Sequence, residues 1–404
     1  MAASSVLPTE FLPSDEPIPA WWPEHAPIYD IHKSYYENAD SGPFMTQPLP
    51  HRPQVAKEDF QCFLGQSVMS KIGVPAGPLL NSRWIALAAA VGFDIVTYKT
   101  IRSIEWQGHP LPNILYIDPE EMRSNADPCH TIASPPSKLD DVAITNSFGM
   151  QSRTKEYLRA DIPAANASLA DGQVMIVSVV GTPSSDATIP QATRESMLVD
   201  DYVQTALFAK ECGARIIEAN FSCPNVCSGG SIYCDPAFVK TISGAMTSAL
   251  GDTPLIIKVG AYHDLMADES KATSLLRDVM RAATEAKVAA ICGINTLSRR
   301  VVTVDPSNKT EVPALGESRL TSGVCGGVIR ASGLRSMKAM SALRKADSFL
   351  GALTLIGCGG ITEAHHFEQY FKAGADAATT ATGMMWDPYL AARYHEAKKL
   401  KKLT

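Results

Sequence analysis

The segment "PLIIKVGAYHDLMADESKATSLLRDVMRAATEAKVAAICGINT", Pro254 to Thr296, decides how the chain is read. It opens with a short apolar run, "PLIIKVG", that ends in Lys258 and a glycine. A helix-like stretch follows, "ADESKATSLLRDVMRAATEA" (267–286), and then a second apolar run, "AAICGINT" (289–296), which ends in Asn295 and Thr296. Two apolar runs of strand length flanking one helix form a strand–helix–strand unit. Runs without polar alternation belong to a parallel sheet covered on both faces.

The same alternation extends outward. The other apolar runs are "KIGVPAG", "FDIVTYKT", "VMIVSVVG", "RIIEANFS", "LTLIGCGG" and "DAATTAT". Between most runs lie helix-like stretches such as "SRWIALAAAV", "MLVDDYVQTALFAKECG", "DPAFVKTISGAM", "GLRSMKAMSALRKA" and "EAHHFEQYFKAG". Eight buried strands alternating with helices predict an α/β fold, a closed (β/α)8 TIM barrel rather than an open sheet. Three connections are long: "RSIEWQGHPLPN" to "ITNSFGMQS", and the regions after "VVG" and "GINT". Residues 1–60, rich in proline and aromatics ("PIPAWWPEHAPIYDIHKSYYENADSGPF"), read as an irregular extension packing on a barrel unit of residues 61–404.

Composition narrows the function. A length of 404 residues, 45% hydrophobic and 19% charged, suits a soluble globular protein. A formal net charge of −6 argues against a nucleic-acid or anionic-membrane surface. No apolar run is long enough to span a bilayer, and the N-terminus lacks the pattern of a secretory signal. Nine cysteines, an odd number without paired spacing, favour a reducing cytoplasm over a disulfide framework. Cys223, Cys227 and Cys234 cluster, but their spacing fits neither a zinc pair nor a ferredoxin run, and no metal is expected.

Barrel chemistry sits where strands end. Lys99 and Thr100 follow the second run, Asn220 to Asn225 the fourth, Lys258 the fifth, and Asn295 and Thr296 the sixth. Gly359 and Gly360 follow the seventh, and Thr382 and Gly383 the eighth. Two glycine-rich loops, "TSGVCGGVIRA" and "GCGGITEA", each precede a helix and are placed to cradle a phosphate through backbone N–H groups. Tight turns without a ligand would look the same, but two in the expected places favour an anion. Lys99 and Lys258 at equivalent strand ends call for a compensating anion, although one lysine alone could reach solvent. Asn146, Asn220, Asn225 and Asn295 around one mouth suit a flat ligand edged with C=O and N–H groups, such as a pyrimidine. Cys223, followed by Pro224, is either a packing thiol or a general base.

In order along the chain, "PAGPLLNS", "VTYKT", "NSFGM", "EANFSCPN", "IIKVG", "INT", "SGVCGGVIRA" and "CGGI" resemble the dihydroorotate dehydrogenase family, over about residues 70–395. The flavin domain of dihydropyrimidine dehydrogenase is nearly as similar. The resemblance implies an FMN barrel, with Ala76, Gly77, Lys99, Thr100, Lys258, Ala381 and Thr382 at the cofactor and Gly326, Gly327, Gly359 and Gly360 at its phosphate. It implies a pyrimidine held by Asn146, Asn220, Asn225, Asn295 and Thr296, with Phe148, Gly149 and Met150 near its polar edge. Cys223 would take the C5 proton while hydride leaves C6 for flavin N5, and Lys99 and Lys258 would favour the reduced, anionic flavin. A cysteine base and the lack of a membrane helix point to the soluble class, and the aromatic extension to a homodimer.

The chain also departs from that family. Soluble members carry an arginine after an "NPxP" motif, where "HPLPN" ends in Asn113, and "NSFGMQS" has Ser152 in place of an asparagine. The segment between Asn113 and Asn146 is longer than the family's. These departures keep two alternatives open: an FMN enzyme for another cyclic amide or enone, and a barrel that binds flavin without catalysis. The iron–sulfur modules of dihydropyrimidine dehydrogenase are absent from the sequence.

Overall fold

The computed structural model describes residues 13–14, 28–45, 48–222 and 231–400. Eight parallel strands close into a barrel in chain order. They are β1 (Ile72–Val74), β2 (Ile95–Ile101), β3 (Val174–Val179), β4 (Ile216–Asn220), β5 (Leu255–Lys258), β6 (Ala290–Gly293), β7 (Thr354–Cys358) and β8 (Ala377–Thr379). Each coincides with one of the eight apolar runs, β2 alone passing the end of its run by one residue, Ile101. Their residues are almost all buried because the barrel interior takes one face of each strand and the helical ring covers the other.

One helix follows each strand: α1 (Ser82–Ala90), α2 (Lys155–Ala167), α3 (Gln191–Glu211), α4 (Pro236–Leu250), α5 (Glu269–Glu285), α6 (Arg330–Ala346), α7 (Ala364–Lys372) and α8 (Leu390–Lys399). Their starts are chemically marked. Asp235 and Asp268 cap α4 and α5 through side-chain oxygens that accept N–H groups of the first turn, and Pro236 occupies a first-turn position that needs no donor.

The long connections build a second layer over the strand ends. Residues Tyr116–Ile117, Cys129–Ile132 and Ala143–Asn146 from the β2–α2 connection join Leu297–Val304, Glu311–Pro313 and Thr321–Gly326 from the β6–α6 connection in a six-stranded sheet. The stretch "TSGVCG" is therefore a strand, not a loop; it pairs antiparallel with 143–146, Gly323 opposite Asn146 and Gly326 opposite Ala143. Its glycines answer to that pairing, because a Cβ at Gly326 would lie 1.9 Å from the Val142 carbonyl oxygen.

Part of the N-terminal segment is packed. Ile28 and Tyr29 are buried, and Tyr29 meets the rings of Trp84 and Phe148 at 6.0 and 5.8 Å. Residues 35–41 form a helix capped by Ser34, with the reciprocal Glu37 bond of a capping box. At the other end of the barrel Arg52 donates to the fully buried Asp94 carboxylate at 2.6 Å, and Ser70 Oγ donates to its other oxygen at 2.5 Å.

Candidate active site

A cavity of about 1000 Å³ opens at the C-terminal ends of the strands. Its wall contains Ala76, Gly77, Lys99, Thr100, Asn146, Phe148, Gly149, Met150, Asn220, Lys258, Asn295, Thr296, Gly326, Gly359, Gly360, Ala381 and Thr382. One cavity thus gathers the residues picked from separate segments of the chain. Gly327 is not in the wall: it sits just beneath, where a Cβ would strike the Asp140 carbonyl at 2.0 Å. Cys223 and Asn225, as well as Cys227, lie outside the described residues. Cys234, half-buried after that segment, has its thiol pushed up by burial.

The two lysines differ in electrostatic setting. Lys258, at the end of β5, sits beside the Glu218 carboxylate and reaches the Ala76 carbonyl at 3.5 Å. Burial is the largest influence and works against its charge, but Glu218 together with Cys358, Cys292 and Cys325 holds the ammonium above its ordinary value. Glu218 in turn is raised by burial, opposed by Lys258 and by a bond from Ser178, and its Oε1 has no hydrogen-bond partner. Among the described residues no such anion acts on Lys99. It is buried, and burial together with Arg102 and Lys258 brings it down to about 8. A buried ammonium facing two cations is a receptor for negative charge.

The asparagines form a connected arc. Ser222 donates to Asn220 Oδ1 from its N–H at 3.1 Å and from its hydroxyl at 2.7 Å, while Asn295 Nδ2 donates to Ser222 Oγ. Asn220 Nδ2 points at the Met150 sulfur, 3.6 Å away. Gly149 and Met150 both take positive φ, +75° and +52°, which turns the "NSFGM" segment into the cavity rim. Asn113, standing where the resembling family has arginine, does not reach the cavity. It is buried and donates to the Ser147 carbonyl at 2.9 Å, bracing the rim from behind. Arg319 does the same through the carbonyl of Pro112 at 2.8 Å.

Sequence reasoning missed several contributors. Ser178 and Glu218 stand inside apolar strand runs, and a polar residue in a fully buried run was the available signal. Arg102 donates to the carbonyls of Met150 and Gly181 and to Thr182 Oγ1, and stacks 5.0 Å from the Trp106 ring. Nothing in its local sequence separates it from a solvent-facing arginine.

The cavity fits a phosphorylated planar cofactor on its own terms. Gly77 has φ of +146° with no protein atom within 4 Å of where a Cβ would project, so backbone alone lines that wall. Gly359 and Gly360 take φ of +122° and +72°, turning the β7–α7 connection where N–H groups can meet an anion. Among the described residues, Glu363, His365 and His366 bring ligand-type atoms within 4.8 Å of one another. His366 Nδ1 there accepts the N–H of Glu363 at 3.1 Å, so this grouping reads as the cap of α7.

Fold and site together define a (β/α)8 barrel that gathers two lysines, several amides and paired glycine turns at one cavity. A sequence model of the dihydroorotate dehydrogenase family matches residues 117–401. The chain belongs to that family. It is 43% identical to dihydroorotate dehydrogenase of Dictyostelium discoideum over 389 residues, 94% of this chain and 99% of that protein. The catalytic subunit of dihydroorotate dehydrogenase B (NAD(+)) of Brachyspira hyodysenteriae is 27% identical, over 48% of this chain and 56% of its own. Dihydroorotate dehydrogenase A (fumarate) of Limosilactobacillus reuteri is 28% identical, over 47% and 54%. In fold, a crystal structure of DHODH from Eimeria tenella in complex with ferulenol superposes with a TM-score of 0.63 at 18% identity, covering 88% of each chain.

Proposed function

We propose that the protein is an FMN-dependent dihydroorotate dehydrogenase, an oxidoreductase acting on the CH–CH bond of a dihydropyrimidine. The observation that carries this reading is the convergence of Lys99, Lys258, Asn146, Asn220 and Asn295 on one cavity, in a chain 43% identical over nearly its whole length to a dihydroorotate dehydrogenase. FMN, when bound, supplies the acceptor for the hydride that leaves C6. Ala76, Gly77, Thr100, Ala381 and Thr382 line its berth, and the glycine turns at 326–327 and 359–360 hold its phosphate. Lys258, with its charge sustained by Glu218, faces the cofactor. The asparagine arc and Thr296 hold the pyrimidine ring, and the rim at Phe148, Gly149 and Met150 closes over its polar edge. Lys99, on which no anion acts among the described residues, meets negative charge on the ligands. Cys223 takes the C5 proton from the segment next to Asn220.

The dimer reading rests on the aromatic N-terminal extension, beside which exposed Ile104, Trp106 and Leu111 add apolar surface. The cytoplasmic reading rests on the free thiols.

Anaerobic mixing with dihydroorotate tests the assignment. Flavin absorbance near 450 nm is expected to bleach with dihydroorotate and not with dihydrouracil, and Cys223→Ala is expected to slow bleaching by about 10²- to 10⁴-fold while flavin stays bound. Absence of bleaching by dihydroorotate sinks the substrate. An unchanged rate in Cys223→Ala removes the cysteine from its role.

A further inference from the structure

The two glycine turns come from successive connections of the barrel, and they are fastened to each other through a residue far away in the chain, by side chains that do not face the cavity. Asp140 lies in the β2–α2 connection, in a short 3₁₀ turn at Leu139–Asp141. Its carboxylate receives Arg330, the first residue of α6, through both guanidinium nitrogens, one at 2.8 Å. It also receives the hydroxyl of Thr362, just past Gly360, at 2.7 Å. Arg330 in turn donates to the Gly360 carbonyl and to His366 Nδ1, each at 3.3 Å. His366 Nδ1 is an acceptor here, since it also receives the N–H of Glu363 at 3.1 Å. Burial, with Arg330 and His365 adding to it, brings that imidazole down to about 3, and so it remains neutral.

Backbones meet as closely as the side chains. A Cβ at Gly327 would lie 2.0 Å from the Asp140 carbonyl oxygen, and one at Gly360 would lie 2.4 Å from the Arg330 nitrogen. Gly327 N–H donates to the Val142 carbonyl at 3.0 Å. Tyr370, from α7, donates to the Gly359 carbonyl at 2.5 Å. The carbonyls of Gly359 and Gly360 are thereby engaged by side chains, and the Gly327 N–H by the Val142 carbonyl.

We propose that Asp140 and Arg330 are positioning residues that set the spacing of the 326–327 and 359–360 turns to match a phosphomonoester dianion. Neither lines the cavity, and each acts through the glycines it holds. This rests on the reading of the turns as the FMN phosphate site. The guanidinium is committed to Asp140 and Gly360, and its role here is to hold the turns. Asp140 itself is an anion near the phosphate, so simple electrostatics and positioning make opposite forecasts for its removal. Neutralising Asp140 should tighten phosphate binding if only charge counts, and weaken it if spacing counts.

The test compares FMN with riboflavin, which lacks the phosphate, by fluorescence titration of the apoprotein. The wild type is expected to prefer FMN; equal affinity for both would overturn the phosphate reading of the turns themselves. In Asp140→Asn, FMN affinity is expected to fall about 10- to 100-fold, as when outer-shell supports of a ligand site are removed. Riboflavin affinity should hold. Thr362→Val, which cuts one of the two ties, should show a smaller loss of the same sign and keeps the test open should Asp140→Asn fail to fold. Unchanged or tighter FMN binding overturns the proposal. An equal loss for riboflavin also overturns it, because the role would then be general folding.

Discussion

At the scale of single residues, what separates the two lysines is the company each keeps. Lys258 has Glu218, two residues before Asn220 on the adjoining strand, whereas the charged groups acting on Lys99 among the described residues are the cations Arg102 and Lys258. A lysine lowered to about 8 titrates within an accessible range. An anionic ligand favours its charged form, so binding takes up a proton wherever the free site is already neutral. Orotate affinity is therefore expected to be flat below about pH 8 and to weaken above it, approaching tenfold per unit, in a titration followed by flavin absorbance. Lys99→Met should bind more weakly and without that slope; a slope retained in the variant would assign the titration to another group. Both lysines were legible as strand-end residues, but their difference was not. It depends on which side chains the barrel brings across from neighbouring strands.

At the scale of elements, glycines that look alike in the sequence differ in what they face. Gly326 has φ of +114° and a neighbouring carbonyl 1.9 Å from where its Cβ would lie. Gly326→Ala must move backbone at the junction of the mouth sheet and α6, and is expected to cost several kcal/mol as well as cofactor binding. Gly244, inside α4, has no atom within 4 Å of its Cβ position. Gly244→Ala is expected to stabilise by about 0.5–1 kcal/mol through helix propensity. Urea denaturation of the pair checks both signs; a harmless Gly326→Ala would show that this junction tolerates a shift. The strands and helices of the barrel could be read from periodicity because each buried run is short, apolar and bounded. The mouth sheet could not, because most of its strands are short and two of its pairings cross well over a hundred residues, Ala143 with Gly326 among them.

At the scale of the whole molecule, the division we propose is a barrel of 61–404 that depends on its 1–60 arm. Tyr29 packs on Trp84, which is fully buried, and Arg52 holds the buried Asp94 at the opposite end. A chain starting at residue 61 would expose one and take from the other its arginine, leaving it the Ser70 hydroxyl. It is expected to be insoluble or to melt well below the full-length protein. Arg52→Ala alone should cost about 3–5 kcal/mol, the usual consequence of leaving a buried charge without its partner. Differential scanning calorimetry reads both, and a truncated chain as stable as the parent would make the arm an ornament.

Local order was written in the sequence: eight apolar runs, the helices between them, and polar residues stationed where the strands stop. Those features depend on neighbours a few residues apart, and burial of each run leaves little choice of partner element. The placement of Asn220 and Asn295 at a common mouth followed from the closure of the barrel once the runs were counted, whereas Asn146 reaches it through the mouth sheet. What only the tertiary structure decided are the relations between distant segments. Glu218 sustains Lys258 and not Lys99, Asn113 braces the rim from behind, and Asp140 ties two glycine turns through Arg330 and Thr362. Such pairings carry no periodicity, because a hydrogen bond between far-separated side chains constrains only the two positions it joins.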